Sequence, residues 1–128
     1  MNREIKFRGY NYQYKKWFYG SLFIQNYDND FMLSNLRTII IDDRGYSVMV
    51  DNDTIGQYTG LKDKNGVEVY EGDIVKYDDE DTSYVVMFDP TGYWCLDGNG
   101  ARNSEMLYYE DIFKYLEVIG NIYENEVD

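Results

Sequence analysis

No histidine occurs among the 128 residues, and cysteine and proline occur once each. Without an imidazole, the chain cannot run a histidine base, a histidine-containing triad or a histidine metal ligand, which removes most familiar hydrolase chemistries. The lone Cys95 cannot close an intrachain disulfide or share zinc with a second thiolate, and such poverty in cysteine suits a reducing compartment. Following Trp94 within a strand pattern, it reads as a buried structural thiol, because a nucleophilic cysteine needs exposure and a base or positive field to ionise. Pro90 belongs to a turn, and no proline-rich linker or repeat divides the chain. No apolar run approaches the roughly 20 residues that span a bilayer. Met1-Asn2-Arg3-Glu4 leads straight into a strand pattern without a signal-type apolar region, so the expected location is the cytoplasm, with no membrane partner.

Cations are scarce as well. Twelve bases against 24 acids give a formal net charge of -12, a field that repels nucleic acid and anionic lipid, so no direct nucleic-acid binding is expected. The shortage is uneven. Residues 1–20 hold five bases (Arg3, Lys6, Arg8, Lys15, Lys16) against Glu4 alone, whereas the remaining 108 hold seven bases and 23 acids. A basic edge thus faces an acidic body, either within one chain or as a head-to-tail attraction between subunits of a homo-oligomer.

Aromatic residues are plentiful at 18%, with 15 tyrosines. Tyrosine joins a large apolar ring to a hydrogen-bonding tip at small entropic cost, which suits both half-buried strand faces and interfaces. Tyr10, Tyr12, Tyr14 and Tyr19, interleaved with Lys6, Arg8, Lys15 and Lys16, are the candidate contact with another subunit or with another protein. The same mixture could imitate a single-strand nucleic-acid platform, but burial of a hairpin already explains the alternation and the acidic remainder opposes that ligand.

The alternation Ile5, Phe7 against Lys6, Arg8 predicts a first strand over Glu4 to Tyr10, and Trp17-Phe18-Tyr19 its partner, broken at Gly20-Ser21 before Leu22-Phe23-Ile24. Asp28-Asn29-Asp30 can cap a short helical turn over 31–36. Strands are predicted at Arg37 to Ile41, Tyr46 to Val50, Tyr84 to Phe88, Tyr93 to Leu96 and Leu116 to Tyr123, the last interrupted by Gly120. Asp42 to Gly45, Asp51 to Thr54, Asp78 to Asp81, Asp89 to Gly92 and Asp97 to Asn103 read as turns or loops. Tyr109, Ile112, Phe113 and Leu116 have helical spacing.

The densest local instruction lies between Gln57 and Tyr77. Asn65-Gly66 can place two residues at positive φ, as a tight hairpin turn requires, and Glu71-Gly72-Asp73 reads as a second turn before Ile74-Val75-Lys76-Tyr77, giving three short strands in a meander. Asn65, Gly66, Gly72 and Asp73 are therefore assigned structural turn roles. Gln57 to Gly66 followed by Tyr70-Glu71-Gly72-Asp73-Ile74-Val75 resembles the central signature of the YopX family of small phage and prophage proteins. Arg3 to Arg8 is similar to the family's start, and Glu117 to Asn125 to its end. Two departures stand out: Gly9-Tyr10 where Ala-Trp-Asp is frequent, and Glu126-Val127 where Pro-Glu-Leu is frequent. The resemblance implies a bacterial host cytoplasm, a host or phage protein as a partner beside the homo-oligomer, and one family domain over 1–128, but no mechanism.

The strand pattern predicts a mainly β (α+β) fold: a small SH3-like barrel over 58–123, flanked by an N-terminal β-hairpin and short helix within 1–50. Such a fold licenses no function. Thr59-Gly60 to Gly66 has the glycine spacing of a phosphate loop but lacks the following Lys-Ser or Lys-Thr. Asp63 to Glu68 lacks the ligand spacing of a calcium loop. Glu71 and Asp73, with Asp78 to Asp81, could hold a hard cation or act as an acid–base couple, or simply form a solvated turn beside a charged loop. No catalytic residue, cofactor or metal ligand is assigned. Three function classes follow: a non-enzymatic accessory protein acting by self-association and protein binding, an acidic nucleic-acid mimic that occupies a host DNA-binding protein, and an enzyme using carboxylates or a metal.

Overall fold

A computed structural model describes residues 4–26, 36–78, 83–88, 94–98, 101–106 and 114–124. The fold is mainly β: β1 (Phe7–Asn11), β2 (Lys16–Asn26), β3 (Leu36–Ile41), β4 (Ser47–Val50), β5 (Gly56–Lys62), β6 (Glu68–Tyr70), β7 (Asp73–Tyr77), β8 (Ser83–Phe88), β9 (Trp94–Gly98), β10 (Ala101–Met106) and β11 (Leu116–Asn121). The chain divides into two compact units, 1–57 and 58–128, and the boundary falls within β5. Among the described residues no helix is long and apolar enough to cross a membrane.

In the first unit the strands follow the order β4-β3-β2-β1, and the first residues of β5 pair with β1. The long β2 is the frame. Lys16 to Gly20 pairs with β1, and Ser21 to Asn26 pairs with β3. The break expected at Gly20-Ser21 is instead a change of partner within one strand. Gly20 makes it possible: its φ is +156°, and a Cβ there would lie 2.0 Å from the Ile41 carbonyl oxygen. The sheet curls until the end of β4 meets the end of β1, where Asp51 N donates to Tyr10 O (2.9 Å) and Asn11 Nδ2 donates to Met49 O (2.7 Å). Gly9 lies under Val50, whose Cγ2 would be 2.5 Å from an added Cβ. A single 3-10 turn, Asn52–Thr54, follows β4, and its buried Thr54 accepts from Tyr10 N at 2.9 Å.

In the second unit a five-stranded antiparallel sheet runs β10-β9-β8-β7-β11, beside the β5–β6 hairpin. Val69, Val75, Val86 and Leu116 form its core, ringed by Leu61, Tyr77, Tyr84 and Val118. Fully burying each such aliphatic side chain contributes about 1.5–3 kcal/mol. The described ladders do not close into the expected SH3-like barrel, since β10 and β11 each pair on one side only. Nor is the stretch from Gln57 to Tyr77 a paired meander. Its three strands form, but β7 leaves β6 and joins β8 and β11. The corner is made at Gly72 (φ +91°), whose N–H donates to Val86 O (2.8 Å) and whose carbonyl accepts from Ile122 N (3.0 Å).

The helical turn expected over 31–36 falls on residues outside those described, apart from Leu36, which opens β3. The stretch from Tyr108 to Leu116 is outside them through residue 113, and Leu116 begins β11. The loop expected from Asp97 to Asn103 is cut short, because Asp97 and Gly98 end β9 and Ala101 starts β10. Polar strand residues paired to a neighbouring strand leave no alternation signal there. Gly120 does mark an irregularity, a register shift between Val118 and Gly120.

Candidate interaction site

The β1–β2 hairpin turns through Tyr12 to Lys15. Asn11 Oδ1 accepts from Tyr14 N at 2.9 Å, which fixes the entry to the turn, and Lys15 completes it at φ 55°. Lys15 is the only non-glycine residue with positive φ among those described, a conformation that glycine or asparagine adopts more readily. Opposite pairing sets Arg8 across from Tyr19 and Tyr10 across from Trp17, so these four side chains share one sheet face.

Those pairs divide the predicted contact residues. Arg8 is buried, with its guanidinium 4.7 Å from the Trp17 ring centre. Tyr10 is half-buried between Tyr12 (5.0 Å) and Trp17 (5.2 Å). Arg8 and Tyr10 therefore hold the hairpin together. Lys6 lies 3.5 Å from Glu4. Tyr12, Tyr14, Lys15, Lys16 and Tyr19 are exposed, Tyr14 most among the tyrosines of the set at 62%.

A cleft of about 840 Å³ opens between this hairpin and the β3–β4 turn, and its lining includes Tyr14, Lys16, Phe18, Ile40, Tyr46 and Val48 together with Asp42 and Arg44. A second hollow of about 360 Å³ includes Lys6, Tyr19, Ile41 and Asp43. Sequence reasoning did not single out Arg44 and Tyr46. The available signal was a cation and an aromatic at a second hairpin turn, the same mixture that marks the first.

Asp42 builds that turn. Its Oδ1 accepts from Arg44 N and Tyr46 N, both at 3.0 Å, while Gly45 supplies φ +88°. Burial pushes the Asp42 carboxyl upward, but the backbone N–H groups of Tyr46 and Arg44 and the Arg44 charge outweigh it and hold the group below its ordinary value. The carboxylate is thus committed to its own loop.

The turn at 63–67 repeats this construction. Asp63 Oδ1 accepts from Asn65 N (2.8 Å) and Val67 N (2.9 Å), and Gly66 N donates to Asp63 O (3.0 Å). Gly66 alone has positive φ (+81°), so the expected pair of left-handed residues at Asn65-Gly66 gives way to a turn shaped by Asp63. Asp63 Oδ2 accepts from Val118 N at 2.9 Å, tying the turn to β11. Beside it Lys64 bonds Asp78 and lies 3.9 Å from Glu117. The Asp78 hydrogen bond raises the Lys64 ammonium above its usual value, against an opposing effect of burial.

The chemistry weighed for the remaining motifs has local structural accounts. Gly60 has φ +86°, and Thr59 Oγ1 both donates to Val69 O (2.8 Å) and accepts from Leu61 N (3.2 Å), which makes Thr59-Gly60 an irregularity of the β5–β6 ladder. Buried Asp73 accepts from Tyr70 N at 2.7 Å through Oδ2. Among the described residues no group of three carboxylates or thiols is placed to hold a metal; residues 79–81 lie outside them.

Residues 6–127 match the family model described as YopX protein. No curated protein matches the chain. Three solved chains do, among them protein EF1440 from Enterococcus faecalis, with 24% identity, a TM-score of 0.57, and 98% of this chain aligned to 97% of that one. At that identity the likeness concerns the fold alone.

Proposed function

The chain belongs to the YopX family, and from that premise we propose a phage or prophage accessory protein that works in the host cytoplasm without catalysis, by associating with itself and with other proteins. The contact is the exposed tip of the β1–β2 hairpin: Tyr12, Tyr14, Lys15, Lys16 and Tyr19.

The partition of charge carries this reading. The unit 1–57 contains seven bases and seven acids, whereas the unit 58–128 contains five bases and 17 acids. The entire net charge of -12 therefore resides in the second unit. A second copy meets least repulsion at the neutral unit, and an exposed cationic-aromatic tip there complements the acidic unit of a neighbour.

Light scattering at low and high salt tests the proposal on the intact chain and on a Lys15→Ser, Lys16→Ser variant. Arg8 is left alone because its substitution would unpack Trp17. An oligomer that salt or the variant dissociates is the expected result. A monomer under every condition overturns self-association.

The same concentration of carboxylates favours a second reading, an acidic nucleic-acid mimic whose surface stands in for phosphates. Salt-labile capture of a basic DNA-binding protein supports it, and recovery of only non-basic partners counts against it.

A further inference from the structure

The sulfur-bearing residues of the chain are five methionines and Cys95. The ladder of the second unit sets three of them in one row across neighbouring strands: Cys95 in β9 stands opposite Met87 of β8 on one side and opposite Met106 of β10 on the other. Directly opposed residues of an antiparallel ladder share a face, with Cβ atoms about 4.5–5.5 Å apart. The adjacent row tells which face this is. Leu96 stands opposite Val86, which is fully buried in the core, and alternation along the strand then assigns Met87, Cys95 and Met106 to the other face, where Met87 is 43% exposed. Leucine or valine would serve that face equally well as strand residues, whereas sulfur at all three positions matters to a soft cation.

We propose that this row is a binding site for copper(I), held by the Cys95 thiolate and the thioethers of Met87 and Met106. The donor set selects the metal. Thiolate and thioether sulfur are soft ligands that favour copper(I) over harder divalent ions. Zinc needs further thiolate or imidazole ligands, and the chain has no second cysteine and no histidine. Magnesium and calcium need oxygen donors, and among the described residues no group of three carboxylates is placed to supply them. Methionine is unbranched and flexible, so from either neighbouring strand its length suffices to bring a sulfur to a metal at the middle position. Binding exchanges the Cys95 thiol proton for the metal, with the proton passing to solvent and no change of oxidation state. The neutral thiol becomes a neutral thiolate–copper(I) pair, so no net charge is added to the face. The surrounding unit, with five bases and 17 acids, concentrates cations near the site.

This inference depends neither on self-association nor on a protein partner. The probe is copper(I) itself, titrated anaerobically into the intact chain against a chromogenic copper(I) chelator, with zinc(II) as its counterpart. One copper(I) per chain is expected, with a thiolate-to-copper charge-transfer band in the ultraviolet and three sulfur neighbours in X-ray absorption. Cys95→Ser should abolish binding. Met87→Leu and Met106→Leu keep the apolar volume and remove one sulfur each. Each should weaken binding at least about tenfold, the cost of disturbing even the groups behind a metal's ligands, and should leave two sulfur neighbours. Met49→Leu, in the other unit, should change nothing. Unchanged thermal midpoints without metal establish that each variant is folded. Absence of copper(I) binding, tighter binding of zinc(II), or binding that survives Cys95→Ser overturns the proposal. So does binding that neither methionine variant weakens, which reduces the site to one thiolate, and so does one metal per two chains, which makes it a thiolate bridge between copies.

Discussion

Replacing Asp63 by asparagine keeps the size of the side chain but exchanges one acceptor oxygen for an NH2 group that cannot accept. Three backbone N–H groups, of Asn65, Val67 and Val118, converge on the two oxygens of this buried carboxylate. Asp63→Asn must leave a buried donor unmatched, and urea unfolding should register a loss of about 1–3 kcal/mol. Asp42→Asn should cost less, since one oxygen serves both of its turn donors and no third backbone N–H depends on the other. Its pH dependence has a definite sign. The folded-state Asp42 carboxyl titrates below the reference value of 3.8, so its contribution is complete above that pH and is lost as pH falls through the folded value. The stability gap between the parent and Asp42→Asn should therefore close on acidification, which acid titration of both proteins measures.

At the scale of the strand, Gly20 is where one element serves two partners. Gly20→Ala would force a Cβ to 2.0 Å from a backbone oxygen that cannot swing away, at a φ that side chains resist. A loss of at least about 3 kcal/mol is expected, read as a fall in thermal midpoint together with the near-ultraviolet signal of Trp17. The strands themselves were legible in the sequence wherever β-branched and aromatic residues cluster between turn residues, as in Tyr84 to Phe88 and Arg37 to Ile41. What Gly20 does was not, because a glycine that breaks a strand and one that lets it pass close to a neighbour look alike until the neighbour is placed. The turn-building role of Asp63 escaped notice for a related reason. Asn65-Gly66 advertises a turn locally, whereas the carboxylate's third partner lies 55 residues away. In the candidate site, Tyr14 and Lys16 stood out by composition, while Arg44 and Tyr46 reach the same cleft only through the pairing of β2 with β3 and β3 with β4.

For the whole molecule, 17 acids against five bases in residues 58–128 make self-repulsion a cost of folding. Raising salt from about 10 mM to about 150 mM shortens the screening length from about 30 Å to about 8 Å. The thermal midpoint should rise over that range. A fall would mean that attractive pairs such as Lys64 with Asp78 outweigh the repulsion. The bond between Asp63 and Val118 also has a consequence in time. The turn around Asp63 can close as soon as Val67 has been made, but its second oxygen must wait for a residue synthesised 55 positions later. At roughly 5–20 residues per second the ribosome takes roughly 3–11 s to supply it. From the synthesis of Val86 until that of Leu116, the three valines Val69, Val75 and Val86 lack the residue that completes their cluster. The moment at which this core is shielded from other nascent chains is thus set by translation, and a pause between codons 86 and 116 would prolong its exposure.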